Sequence, residues 1–324
     1  MTLHCFCLNP TIDEIYEIED FYVGGTFKVK EKVIYPVGKA ISFCLAITNI
    51  RKNFDFVNLL ACIGKGETSL YSEFLKGKKI NFQLISVKGK TRSNKTVNDP
   101  VNRTTTHIRE SGFKFSRKKI TEIKKFVKSN VKPNDLCLFS GSLPPNVNND
   151  LYAELIKLCN HKNAKCILDT SDSSLVKAID SKPFIVKPNL LELSQILQNS
   201  KLNEIDFSDE QKDLSYIVNQ AERLLQKGIK TILITLGKKG AICLTKSITL
   251  YGNVYVDVSI DTVGCGDAFL AGFVSHYLLE RNTQECFRSA IAAGAANTQE
   301  KGPGIFKHKT YENLLEKVKI KKIH

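Results

Sequence analysis

Tryptophan is absent from this chain of 324 residues, methionine occurs once, and proline only nine times. No stretch approaches the ~18 consecutive apolar residues that a membrane-spanning helix needs, which excludes one. The opening residues Met1-Thr-Leu-His-Cys5 lack the basic n-region and small-residue cleavage site of a signal peptide, so a cytoplasmic location is expected. Neither an internal repeat nor a low-complexity segment interrupts the sequence. What is present, 42% hydrophobic and 25% charged residues, is the composition of a folded globular protein and not of a disordered or fibrous one. A chain of this length buries a large core, as one α/β domain or as a domain with an accessory piece.

Metal-ligand spacing is missing as well. The chain has ten cysteines but no Cys-x-x-Cys pair. Cys62, Cys137, Cys166 and Cys243 lie inside apolar runs, where a free thiol behaves as a small core residue, and Cys5 and Cys7 alternate along an expected strand and so share one face. Neither zinc nor a structural disulfide is expected. Charge is unbalanced, with 47 Lys+Arg against 33 Asp+Glu and a formal net charge of +14. The lysines concentrate between Lys114 and Lys132 and in the tail from Lys307 to Lys322. Ile120, Ile123, Phe126 and Val127 form the apolar stripe of a helix in the first region, and Leu314, Leu315 and Val318 do the same in the tail. No stacking aromatics interleave with the lysines and no nucleic-acid motif appears. A solvated lysine surface is therefore preferred to a nucleic-acid or membrane footprint, and a basic cleft for a phosphorylated ligand stays compatible with the charge.

Short β-branched runs alternate with longer amphipathic ones. Strands are expected at Leu3–Leu8, Phe56–Ile63, Leu136–Phe139, Ala164–Asp169, Phe184–Val186, Thr231–Thr235 and Ala241–Leu244. Helices are expected at Lys39–Arg51, Thr68–Lys76, Arg117–Ser129, Asn149–Asn160, Leu190–Leu197, Glu210–Lys227, Gly266–Leu279 and Thr283–Asn297. Several strands are apolar throughout, as when helices cover both faces, and the order specifies a layered α/β fold with a mostly parallel sheet. Residues 14–36 and 88–112 depart from the alternation, with the pattern of hairpins that keep an exposed face. They are expected to pair into a small sheet, a discontinuous lid over a cleft within one domain spanning residues 1–324.

Most of the chemistry lies in Asp261-Thr-Val-Gly-Cys-Gly-Asp267-Ala-Phe-Leu-Ala-Gly272. This stretch is expected to join a polar strand end, Val256–Ile260, to an apolar helix running toward Leu279. Gly264 and Gly266 let the backbone turn sharply and present successive N–H groups at the helix N-terminus, a nest that stabilises negative charge. Asp267 in the first turn would be ordinary as a cap. Two glycines, an Asp at each end and a following helix of small residues fit an anion hole with a general base better.

The same stretch resembles the signature D-T-x-G-A-G-D-x-F of the ribokinase-like (PfkB) carbohydrate kinases, departing only at Cys265, where the family has Ala. The resemblance implies a ribokinase-like three-layer α/β/α fold with a mostly parallel central sheet plus a small β-sheet lid. It implies a kinase that uses ATP and magnesium. Asp267 becomes the base that deprotonates a sugar hydroxyl, while the N–H groups of Gly264, Cys265 and Gly266 hold the charge developing during phosphoryl transfer. Asp261 matches a position near a monovalent-cation site, which implies potassium activation. Leu8-Asn-Pro-Thr-Ile-Asp13 resembles L-N-P-A-x-D, whose Asp, here Asp13, contacts sugar hydroxyls. Ser140-Gly-Ser-Leu-Pro-Pro145 resembles the S-G-S-L-P-P turn, which puts Ser140 and Ser142 on the substrate side. Lys187-Pro-Asn-Leu-Leu-Glu192 resembles K-P-N-x-x-E, in which Asn189 and Glu192 organise magnesium and its waters around the phosphates of ATP. A plain helix-capping pair is the alternative there. Thr235-Leu-Gly-Lys-Lys-Gly240 resembles the T-L-G-x-x-G turn beside the nucleotide, with Gly237 close to its phosphates, and Gly294 to Asn297 falls where relatives line the adenine pocket.

Thr91-Arg-Ser-Asn94 and Thr104-Thr-Thr-His-Ile-Arg-Glu110 resemble T-R-x-N and T-x-I-x-E of the 1-phosphofructokinase and tagatose-6-phosphate kinase branch. There the Arg matching Arg92 reaches from the lid to the substrate's phosphate, a task suited to a guanidinium fork; the alternative is a solvated edge-strand charge. The family's N-terminal G-G-K-G-x-N reads Val37-Gly-Lys-Ala-Ile-Ser42 here. Gly38 and Lys39 are kept, while the sugar-reading Asn has become Ser42, a shorter reach that bears on substrate choice. The expected acceptor is a ketohexose phosphate: fructose 1-phosphate, tagatose 6-phosphate or fructose 6-phosphate. An unphosphorylated sugar or a nucleoside is the alternative acceptor. A non-catalytic sugar- and ATP-binding protein is a further alternative, against which the intact Asp267, Asn189 and Glu192 argue. Unpaired lid edges favour a homodimer through the lid.

Overall fold

The computed structural model describes residues 1–51 and 57–323. Along the chain the strands are β1 (Leu3–Cys7), β2 (Thr11–Glu17), β3 (Glu31–Val37), β4 (Val57–Gly64), β5 (Asn81–Val87), β6 (Arg92–Asp99), β7 (Thr104–Arg109), β8 (Leu136–Ser140), β9 (Lys165–Asp169), β10 (Ile185–Val186), β11 (Thr231–Thr235), β12 (Ala241–Thr245), β13 (Thr249–Asn253) and β14 (Lys319–Lys322). The helices are α1 (Lys39–Ile50), α2 (Thr68–Leu75), α3 (Arg117–Asn130), α4 (Leu151–Asn160), α5 (Asp172–Ile179), α6 (Leu190–Leu197), α7 (Glu210–Gln226), α8 (Cys265–Tyr277), α9 (Thr283–Asn297) and α10 (His308–Lys317). Among the described residues, none of the helices is long and apolar enough to cross a membrane.

Ten of these strands form one sheet in the order β14-β13-β12-β11-β10-β9-β8-β1-β4-β5. From β11 to β5 every neighbour pair is parallel, and β12, β13 and β14 close the far edge antiparallel. Side chains of β1 and the residue after it divide between two cores: Leu3, Cys5 and Cys7 pack with α1, α2, α8, α9 and α10, whereas Phe6 and Leu8 pack with α3 to α7. The apolar runs of β1 and β8 follow from this burial on both faces, and the three layers are those expected. Nine of the ten cysteines are buried free thiols, with Cys5 and Cys7 on one face as their spacing requires.

The second sheet has the order β3-β2-β6-β7. It starts at Thr11, just beyond β1, and its strand β3 runs straight into α1, so both of its roots sit at the carboxyl end of β1. Tyr71 of α2 fastens them, its hydroxyl donating to the carbonyls of Thr11 at 2.7 Å and Val37 at 3.3 Å. The two sequence-distant segments meet through a parallel pairing of β2 with β6, which sets Arg92 beside Thr11 and Asn94 beside Asp13.

Three expectations change. The strand placed from Phe56 is seen from Val57, Phe56 lying outside the described residues. Val256–Ile260 is not a strand: the Ile260 and Asp261 N–H groups bond to the Thr298 carbonyl, at 2.7 and 3.2 Å, in place of a neighbouring strand. The lysine-rich tail is helical only to Lys317, after which β14 pairs with β13 as an edge strand. β5, β13 and α5 were not expected either, being short or half-exposed elements with weak patterns.

Candidate active site

The chain leaves β1 toward β4 and β5 on one side, then returns to β8 on the other. Open α/β sheets bind ligands in the crevice that such a reversal leaves at the carboxyl ends of the strands. Asn9 beyond β1, Ser140 at the end of β8, Asp169 at the end of β9, Lys187 past β10 and Thr235 at the end of β11 all arrive there.

Asp169 organises this end. Its side chain is fully buried, and one oxygen, Oδ1, accepts both the Lys39 ammonium at 3.0 Å and the Lys187 ammonium at 3.1 Å. Burial alone would raise the Asp169 carboxyl, but the two lysines outweigh it and hold the group below its ordinary value. For Lys39, burial acts to lower the ammonium, yet Asp169, Asp267 and Glu192 together hold it above its usual value. Ser140 is buried and donates to Asp169 Oδ2 at 3.4 Å. It therefore supports the carboxylate and, being covered, offers no surface to a substrate, unlike the direct contact expected of it.

Opposite this cluster, α8 begins at the expected turn. Gly264 is its N-cap, with φ 80°, and a Cβ there would lie 2.6 Å from Cα of Pro303, so glycine is required on both grounds. Ala268 N–H makes the first helical bond, to the Gly264 carbonyl at 2.9 Å. Cys265 N–H turns back on the Thr262 carbonyl at 3.4 Å. Gly266 faces Lys187, whose Nζ would be 3.3 Å from a Cβ at that position. Asp267 is 7% exposed, and among the described residues none donates a hydrogen bond to its carboxylate. Burial pushes its pKa up to about 7; Lys39 and Lys187 pull down while Asp169 and Asp13 push up. An unpartnered, buried carboxylate that titrates near neutrality beside two ammonium groups is equipped to take a proton.

On the small-sheet side, Asp13 Oδ1 accepts from Thr11 Oγ1 and Asn94 Nδ2, both at 3.1 Å, and burial raises its carboxyl. The other amide atom of Asn94, Oδ1, is buried without a partner. Arg92 is half-buried and spends Nε on the Pro10 carbonyl at 3.3 Å and Nη2 on the Asn9 carbonyl at 3.2 Å. It is not a solvated edge charge. Asn9 in turn donates to Ser142 Oγ at 3.1 Å and to the Leu143 carbonyl at 3.2 Å, tying β1 to the Ser140–Pro145 turn. Gly38 caps α1 and Lys39 opens it, whereas Ser42 is covered by the Gly304 backbone and 2% exposed. Burial takes Ser42 out of direct contact with a ligand.

Asn189 and Glu192 form a complete capping box on α6: Glu192 N–H to Asn189 Oδ1 at 2.8 Å and Asn189 N–H to Glu192 Oε2 at 3.0 Å. Capping does not exhaust Glu192, which lies close enough to Lys39 and Lys187 to feel both charges, and burial raises its carboxyl. Thr235 bridges to Asn189, and the turn from Gly237 to Gly240 is exposed up to Lys239. Asn297 departs from the adenine-pocket expectation. It is wholly buried, its Nδ2 donating to the Val263 carbonyl at 2.9 Å and its Oδ1 accepting the Gly304 N–H at 2.8 Å, so it shapes the turn that opens α8 from behind. The Asp261 carboxylate accepts the N–H of Val263 at 2.9 Å and of Gly302 at 3.3 Å. Sequence reading passed over Asp169 and Asn9. The usable signal for the first was an acid closing the apolar run Cys166-Ile-Leu-Asp169 at the end of the sheet where the motifs collect.

Comparison with known proteins identifies the family. The description "pfkB family carbohydrate kinase" matches residues 7–310. A 1-phosphofructokinase of Bacillus subtilis is 26% identical over 329 residues, covering 99% of this chain and all of the relative. A tagatose-6-phosphate kinase of Staphylococcus epidermidis is 26% identical over 316 residues, 97% of each. Phosphofructokinase-2 from Escherichia coli, in complex with substrates and products, superposes with a TM-score of 0.86 at 21% identity over 98% of this chain and 99% of its own.

Proposed function

The chain belongs to the pfkB family of carbohydrate kinases, and we propose that it transfers the γ-phosphate of ATP to a hydroxyl of a ketohexose phosphate, with Asp267 as the general base. The observation that carries this reading is the buried, unpartnered Asp267 carboxylate at the head of α8, titrating near 7 and facing the Lys39–Asp169–Lys187 cluster. The acceptor hydroxyl gives its proton to Asp267 as it attacks. Lys187 beside Gly266 and the N–H groups that open α8 offset the negative charge on the moving phosphoryl group.

Sugar recognition falls to Asp13, whose carboxylate suits hydroxyl donors and is held in place by the Asn94 amide, and Arg92 supplies the cation for a phosphate on the acceptor. Among the described residues no three acids, histidines or cysteines converge as a metal cage. The donor set fits magnesium that arrives on ATP and keeps most of its waters, with Glu192 and Asn189 as the groups to hold those waters. Magnesium so held supplies charge neutralisation on the phosphates. β7, exposed at all six residues, is the edge at which a second copy would pair, a cytoplasmic homodimer that sedimentation would reveal.

The test is ADP release with ATP and magnesium against fructose 1-phosphate, tagatose 6-phosphate, fructose 6-phosphate, fructose, ribose and adenosine. Turnover of one phosphorylated ketose, lost by at least ~10²-fold in Asp267→Asn with ATP still bound, is expected. More than about a tenth of wild-type turnover in that variant would remove Asp267 as the base. Turnover only with an unphosphorylated acceptor would remove the ketohexose phosphate.

A further inference from the structure

Gly302-Pro-Gly304 lies between α9 and α10, outside the motifs of the cleft, and touches both the small sheet and the catalytic turn. On the sheet side, the Tyr35 ring of β3 lies flush on Gly302: φ there is 103°, and a Cβ would stand 2.8 Å from Tyr35 Cζ. The Tyr35 hydroxyl donates to the Lys301 carbonyl at 3.3 Å, and the Lys301 ammonium pairs with Glu31, also of β3, at 3.0 Å. On the catalytic side, Gly302 N–H donates to Asp261 Oδ2, whose Oδ1 holds the Val263 N–H. Pro303 fills the space against Gly264. Gly304 N–H donates to Asn297, which holds the Val263 carbonyl and reaches Cys265 Sγ at 3.6 Å. Gly304 also abuts the Ser42 carbonyl in the first turn of α1, the helix into which β3 runs.

Residues 302–304 thus brace residues 261–265 from behind, together with Asn297 and the Thr298 carbonyl, and their outer face is pressed on the lid strand. A shift of β3 against the body would alter its contacts with Lys301 and Gly302, which in turn hold Asp261 beside the turn that opens α8. Resting on the kinase reading above, we infer that residues 301–304 couple the small sheet to the catalytic turn and that Tyr35 is a positioning residue for phosphoryl transfer. An acceptor seated under β2 and β6 settles the sheet, and Tyr35 passes that setting to Gly264–Gly266. Transfer to water is thereby held back until the acceptor is in place, a coupling between sites and not a contact with either substrate.

The experiment compares wild type, Tyr35→Phe, Tyr35→Leu and Tyr35→Ala on the sugar phosphate that wild type turns over. It measures kcat, both KM values and ADP release without acceptor. Tyr35→Phe keeps the ring on Gly302 and retains kcat within about twofold. Tyr35→Ala lowers kcat about tenfold with both KM values within about twofold, and the ratio of acceptor-free to acceptor-dependent ADP release rises. An unchanged kcat, or a loss confined to the KM of the sugar, overturns the inference. Should Tyr35→Ala melt below the assay temperature, Tyr35→Leu, which keeps apolar bulk but no ring, is read by the same criteria. A wild-type protein that phosphorylates none of the panel refutes the kinase reading instead, so the two failures are distinguishable.

Discussion

Asn in place of Asp169 would keep the shape of the side chain and remove the charge that Lys39 and Lys187 share at 3.0 and 3.1 Å. Truncating one partner of a buried ion pair costs about 3–5 kcal/mol. The Lys39 side chain is 38% exposed and recovers some hydration, so a loss near the lower end, about 3 kcal/mol, is expected. The effect on Asp267 is the more diagnostic one. Burial sets that carboxyl near 7, with Asp169 pushing up and the two lysines pulling down. Neutralising Asp169 removes an upward push and leaves both lysines to act on Asp267 and Glu192, so the Asp267 pKa falls. A base works only when deprotonated, so kcat/KM rises as pH climbs through that pKa. The acid limb for the free enzyme therefore lies near pH 7 in wild type and moves to lower pH in Asp169→Asn. Profiles of kcat/KM between about pH 5 and 9, with urea melts to confirm folding, make the comparison. An acid limb that stays in place or moves upward would refute the electrostatic coupling of Asp169 to Asp267.

Asp267 has a second signature, in stability. Its folded pKa lies above the unfolded carboxylate value, so the native state binds more protons between about pH 4 and 7 and loses stability as pH rises through that window. Asp267→Asn should therefore be more stable than wild type at pH 8, by on the order of 2 kcal/mol, and equal to it near pH 4. Equal urea midpoints at both pH values would show that the carboxylate is not destabilised where it sits. For Arg92→Ala the expected outcome is a raised KM for a phosphorylated acceptor with little change for ATP, and Arg92→Lys does not rescue it, since one ammonium cannot hold two carbonyls and a phosphate together. Unaltered steady-state kinetics would take Arg92 out of the substrate site. At the far end of the small sheet, the Asp99 carboxylate accepts the Asn102 side-chain amide at 2.8 Å and the N–H groups of Asp20, Phe21, Val101 and Asn102; desolvation pushes its pKa up, but these bonds, the Asn102 amide foremost, outweigh it and hold the pKa down to about 2. Asp99→Ala should speed hydrogen exchange at those four amides while leaving β1 and β8 protected; unaltered exchange there would deny it that role.

Much of the layered fold was legible because burial on both faces writes itself as unbroken apolar runs, as in Leu136–Phe139 and Ile232–Ile234. The start of α8 was legible for a local reason: a left-handed residue at Gly264 and close backbone approach demand glycine whatever surrounds them. Edge elements were not, since β5 and β14 bury little and their patterns are set by neighbours far along the chain. Val256–Ile260 misled because its residue types suit a strand, while at its end the Ile260 N–H bonds to a lone carbonyl at Thr298 in place of a strand partner.

Residue types near the cleft point outward or inward only once the layers are assembled. Ser140, Ser42 and Asn297 carry the polar groups of ligand contacts, yet packing of the Gly302–Gly304 segment and the Asp169 pair buries them as supports. Asp169 itself is an ordinary acid at a strand end until α1 and the β10–α6 turn bring two lysines to one of its oxygens. Likewise Asp13 and Asn94 meet only through the parallel β2–β6 pairing. Local backbone demands and face-by-face burial act over a few residues and are written in the order of the chain. Charge pairing in a buried crevice depends on which distant segments exclude water together, and that belongs to the assembled fold.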